Sequence, residues 1–124
     1  MSIKDWLGKN HYVTTPADPD VFFRPRKYQK SREEVAAAAK EAVASLKNWR
    51  LEEYRENQGL LRLSRSALFP PSAQDIDLYV VQGVDGITRL EMTSLSRGAK
   101  RDWGRNKRNL REFLVLMDSR LTPL

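Results

Sequence analysis

At Asn48 the spacing of apolar residues changes from a helical period to strict alternation, and it stays alternating through four short runs joined by links of hairpin length. Those links decide the topology. Strands joined so closely must run antiparallel, because a parallel crossover needs a dozen residues or more. Trp49 and Leu51 alternate with Arg50 and Glu52, and Asn57-Gln58-Gly59 turns the chain into a second run marked by Leu61 and Leu63. Phe69-Pro70-Pro71-Ser72 ends that run, since consecutive prolines remove ladder donors. Ile76, Leu78 and Val80 mark the third run, Gly83-Val84-Asp85-Gly86 the next turn, and Leu90 and Met92 the fourth run from Ile87 to Ser94.

A helix is predicted on either side of this block. Ser31-Arg32-Glu33-Glu34 fits a capping box, and Val35, Ala38, Ala39, Ala42, Val43 and Leu46 continue at helical spacing, predicting a helix from Arg32 to Lys47. Near the end of the chain, Asp102 stands where an N-cap belongs, Trp103, Leu110, Phe113, Leu114, Met117 and Leu121 form an apolar stripe, and Pro123 marks the stop. Residues 1–30 hold Pro16, Pro19 and Pro25 and show no sustained period, so they read as an extended N-terminal arm with one short strand near Val21-Phe22-Phe23. Residues 31–124 then form one α+β domain. Its expected architecture is a two-layer sandwich: an antiparallel meander of four strands, or five if the arm adds one, with both helices on one face in the order (β)αββββα. The core face would carry Trp49, Leu51, Leu61, Leu63, Ile76, Leu78, Val80, Leu90 and Met92. The opposite face would carry Glu52, Tyr54, Arg62, Ser64, Asp77, Tyr79, Arg89, Glu91 and Thr93.

The residue inventory closes off several chemistries. With no cysteine among 124 residues, disulfides, thiolate metal sites and cysteine nucleophiles are excluded; a single histidine, His11, cannot build a histidine triad or a multi-histidine metal site within one chain. No metal ligand set, cofactor or catalytic residue is therefore expected, and no glycine-rich phosphate loop offers a handle for nucleotides. Asp77, Glu91 and Glu52 could converge on the open face, but carboxylates on a strand surface are ordinary, and the chain reads as no enzyme. No apolar run approaches the ~20 residues needed to cross a bilayer, and no secretory leader is evident at the start of the sequence. The expected location is cytoplasmic or a soluble organellar, plastid-type compartment.

Charge is the informative exception. The net charge is +6, and residues 97–111 alone hold Arg97, Lys100, Arg101, Arg105, Lys107, Arg108 and Arg111 against Asp102. Elsewhere fifteen basic residues face fifteen acidic ones, so the whole excess lies in that segment.

The same segment carries a resemblance. Ser94-Leu95-Ser96-Arg97, the basic turn that follows, Asp102-Trp103-Gly104-Arg105-Asn106 and the Phe113-Leu114 helix together resemble the domain of unknown function family 1499, a bacterial and plastid-associated family. The helix ahead of the sheet, the corner near Phe69 and the acidic strand start at Asp75 extend the likeness over about residues 12–120. As aligned, the family pattern has arginine at Thr93 and at Asn109, glycine at Ala99 and a second acid at Gln74, and a cysteine-containing stretch where this chain has Pro16-Ala17-Asp18-Pro19. The resemblance implies the fold and no established activity.

Read from its own residues, the turn suggests a lock in which Asp75, Ser94, Ser96, Arg97, Asp102, Gly104 and Asn106 form a buried or semi-buried network, Arg97 pairing with Asp102 or Asp75; the alternative is a site for a small polar or anionic ligand beside Ser96, Arg97 and Asp102. Lys100, Arg101, Arg105, Lys107, Arg108 and Arg111 form a basic rim. Tyr12, Phe22, Phe23 and Tyr28 give the arm interface-type anchors, or else cover their own domain. The reading that gathers these features is an interaction or accessory module that meets another protein or a larger assembly through rim and arm. Nucleic acid or an anionic membrane surface is the alternative partner.

Overall fold

The computed structural model describes residues 11–68, 71–97 and 104–124. Six strands form one antiparallel sheet: β1 (His11–Val13), β2 (Arg26–Tyr28), β3 (Trp49–Arg55), β4 (Leu60–Leu68), β5 (Pro71–Gln82) and β6 (Thr88–Ser96). The spatial order is β1-β6-β5-β4-β3, with β2 also paired to β6. The two long helices, α1 (Arg32–Ala44) and α2 (Arg105–Arg120), share a core with one face of this sheet. This is the expected α+β sandwich with more strands than the sequence suggested.

The first helix begins as its capping box requires: the Glu34 amide donates to Ser31 Oγ at 3.1 Å. It ends at Ala44, short of Lys47. The Ser45 hydroxyl donates back to the Ala42 carbonyl, and Asn48 takes a left-handed φ of 69°, so the chain turns before Leu46 can extend the helix. The second helix starts at Arg105 with Gly104 at its cap, at φ 74°. The cap expected at Asp102, and Trp103 in the stripe, lie outside the described residues, as do Lys100, Arg101 and the Phe69-Pro70 corner. Leu110, Phe113, Leu114 and Met117 are fully buried, as their spacing requires.

A β-bulge between Leu51 and Glu53 corrects one face assignment. The extra residue puts Tyr54 opposite Leu61 on the core side, where Lys40 Nζ lies 3.7 Å from its ring centroid, rather than on the polar face. Leu51, opposite Leu63, is on the core side too. It nonetheless remains 38% exposed.

Residues 11–28 differ most from expectation. Val21–Phe23, read as a strand, is a 3-10 turn held by Asp20, whose side chain accepts from the Phe22 amide at 3.0 Å. The strands lie on either side of it, and both pair with the outer edge of β6: His11–Val13 against residues 93–95 and Arg26–Tyr28 against 88–90. Thr14 closes the gap between them. Its amide donates to the Met92 carbonyl, and its hydroxyl accepts from the Met92 amide, both at 2.9 Å. Arg26, buried, clasps Asp118 of α2 with two bonds of 2.9 and 3.0 Å and also donates to the carbonyls of Phe22 and Arg24. Residues 11–28 thus seal an edge strand and bond to a core helix.

Candidate functional site

The first two turns of α2 lie against the ends of β5 and β6, and the residues that meet there on the helix-covered face are polar. Ser94 Oγ donates to Asn106 Oδ1 at 2.6 Å, and Asn106 Nδ2 donates to Ser96 Oγ at 2.9 Å. One helical turn on, Asn109 Nδ2 donates to Ser94 Oγ at 3.1 Å and to Gln74 Oε1 at 3.2 Å, while its Oδ1 accepts from Arg65 Nη1 at 2.7 Å. Arg65 Nη1 also reaches Glu112 Oε2 at 2.8 Å. The lattice thus runs from β4 through α2 to both central strands. Asn106, Asn109, Ser94, Gln74 and Ser96 are all buried, and the i, i+3 pair Asn106 and Asn109 on one helix face meets the hydroxyls of Ser94 and Ser96 and the side-chain carbonyl of Gln74 from within the chain.

Of the turn residues singled out by sequence, the structure brings together Ser94, Ser96 and Asn106. Arg97 and Asp75 form the pair expected of them, with Arg97 Nε 3.0 Å from each carboxylate oxygen. They do so on the opposite, open face of the sheet and are about half exposed, so they are no part of the buried lattice. The Asp75 carboxylate raises the Arg97 guanidinium pKa above its usual value through that hydrogen bond. Asp102 lies outside the described residues. The lattice members that sequence reasoning missed are Arg65, Gln74 and Asn109. Gln74 and Asn109, two positions at which the sequence reading marked departures from the resembled pattern, are hydrogen-bonded to each other.

Beside the lattice is a cleft of about 150 Å³ lined by Arg65, Ala67, Ser72, Gln74, Arg105, Arg108 and Asn109. A shallower groove of about 220 Å³, lined by Gly104, Lys107, Arg108 and Arg111, shares Arg108 with it. Arg105, Lys107, Arg108 and Arg111 form no ion pair with any described residue, whereas Arg26, Arg55, Arg62, Arg65, Arg89, Arg97 and Arg120 all do. On the groove side, Lys107 Nζ sits 5.0 Å and Arg111 Cζ 5.5 Å from the centroid of the Phe23 ring. Of the expected rim, Lys107 and Arg111 therefore lie over the N-terminal aromatic Phe23. Of those aromatics, Phe23 and Tyr28 are fully buried in the chain's own core, which removes them as anchors for a partner, and Tyr12 and Phe22 are half-buried against it. The Tyr12 hydroxyl donates to Asp18 Oδ2 at 2.8 Å. Partial burial, then this bond, push the tyrosine pKa up to about 12; the same bond, with Lys107 nearby, lowers that of Asp18.

The open face carries Arg62–Asp77 and Arg89–Glu91 ion pairs with Tyr79, Val81 and Leu95 partly exposed among them. Burial raises the Asp77 pKa, the Arg62 charge opposing it. Among the described residues, no group of three or more acidic or histidine side chains could hold a metal ion. No described helix is long and apolar enough to cross a membrane.

No curated protein matches the chain. A family model, described as a protein of unknown function (DUF1499), matches residues 3–117.

Proposed function

The chain belongs to the DUF1499 family of proteins of unknown function, and from that premise we propose that it works as a non-catalytic interaction module, docking an acidic segment of a partner protein on the basic surface of α2. One observation carries this reading: Arg105, Lys107, Arg108 and Arg111 line two adjoining concavities and have no ion-pair partner among the described residues. Unpaired like charges held close together repel one another, and an anionic partner relieves that repulsion and speeds its own encounter. Burial of Phe23 beneath Lys107 and Arg111 favours a protein over single-stranded nucleic acid, because the ring nearest these cations is not free to stack a base.

Fluorescence anisotropy with labelled polyglutamate, an oligothymidylate and anionic vesicles, each over a salt series, tests it. Binding of polyglutamate that is lost in Lys107→Glu/Arg111→Glu supports the reading. Binding of DNA or vesicles without polyglutamate, at any salt concentration, refutes it.

A further inference from the structure

We propose that the cleft between the β4–β5 end of the sheet and the first turn of α2 is a binding site for one phosphate-type oxyanion, either inorganic phosphate or the phosphate of a small ester. Three arginines, two amides and a serine make the described lining rich in donors. Arg65 is pinned at one edge by Asn109 and Glu112, and among the described residues Arg105 and Arg108 have no ion-pair partner and no carboxylate lines the cleft. The independent pointer is Gln74. It is only 3% exposed, its Oε1 is taken by Asn109, and its Nε2 makes no hydrogen bond to any described residue while the side chain lines the cleft. That donor opens on the cleft with no described group to meet it, and an oxyanion bound there would accept from it.

The positive end of the 16-residue α2 dipole, whose first residue Arg105 lines the cleft, adds attraction of the same sign. Size sets the class. At about 150 Å³ the cleft holds a phosphate group and the atoms next to it. It falls well below the roughly 300 Å³ at which pockets for larger ligands begin, so a whole nucleotide does not fit inside. Guanidinium groups from two elements match a tetrahedral dianion better than a planar carboxylate, since they can bind separate oxygens.

The two readings share Arg105, Arg108 and the cleft, but the phosphate site adds Gln74 and Arg65 and does not need Lys107 or Arg111. The test is a titration with inorganic phosphate, with glycerol phosphate and with sodium chloride at matched ionic strength, followed in proton–nitrogen correlation spectra of the full chain. Phosphate or its ester should move the Gln74 side-chain amide and the Arg105 and Arg108 Nε resonances saturably, chloride should not, and Arg108→Gln should weaken binding by about tenfold. Preference between the two probes tells free anion from ester. The proposal is overturned if the Gln74 amide responds to phosphate no more than to chloride, or if a well-dispersed Arg105→Gln/Arg108→Gln variant binds unchanged. Failure here alongside intact polyglutamate binding would leave the docking surface standing without a phosphate site.

Discussion

Asn109 and Arg97 look alike as hydrogen-bonding residues and differ in where they sit, and the contrast gives a sharp prediction. Asn109 is 1% exposed and makes three bonds: one to the Arg65 guanidinium and two neutral ones to Gln74 and Ser94. A hydrogen bond to a charged group contributes about 1.5–3 kcal/mol and a neutral one about 1 kcal/mol, so Asn109→Ala loses on the order of 4 kcal/mol before relaxation. Asn109 also lines the cleft, and water entering there recovers part of the loss. The expected net cost is about 2–4 kcal/mol. Arg97 bonds both oxygens of Asp75, but the pair is half exposed, and water replaces what Arg97→Ala removes; the expected cost is below about 1 kcal/mol. At roughly 4 °C per kcal/mol for a chain this long, Asn109→Ala should lower Tm by about 8–16 °C and Arg97→Ala by less than about 4 °C. Urea unfolding with unchanged m values should give the same ranking. If Arg97→Ala costs as much as Asn109→Ala, the lock is on the open face after all and the burial reasoning fails.

Thr14→Val keeps the shape of the side chain but leaves the buried Met92 amide without its acceptor, at a cost of about 1–3 kcal/mol; amide exchange at Met92 should quicken, and unchanged protection there would contradict the edge seal. Gly59 sits at φ 63° with its Cα turned to the Val80 carbonyl, which an added Cβ would strike, so Gly59→Ala should destabilise by at least about 2 kcal/mol in urea titration, and a neutral outcome would mean the β3–β4 turn is freely remodelled. The raised Tyr12 pKa means the folded state holds that proton more tightly than the unfolded one. The associated stability is therefore complete below pH 10 and is lost as pH rises to about 12. Tyr12→Phe should flatten the stability profile over that window, and also weaken the acid-side dependence from Asp18, whose lowered pKa contributes stability that is lost as pH falls below 3.8. Identical slopes for both proteins above pH 10 would rule out the Tyr12–Asp18 contribution.

The order of elements was legible in the chain because it depends on local quantities. Alternation at Leu61-Leu63, Ile76-Leu78-Val80 and Leu90-Met92, the Ser31 capping box and links too short for a crossover are each readable within a dozen residues, and each has one physical outcome. The concentration of charge in residues 97–111 was equally plain. What needed the tertiary structure was every feature fixed by a partner distant along the chain. Tyr54 changes face because a bulge is set by pairing with β4; Arg26–Tyr28 becomes a strand because the β6 edge is there to accept it. Gln74 and Arg65 lie 35 and 44 residues from Asn109 in sequence, and the three become a single polar lattice only when α2 settles on the sheet. A side chain's type and spacing report which surface it prefers. Which group it finally bonds to depends on closing those loops, and only the folded chain does that.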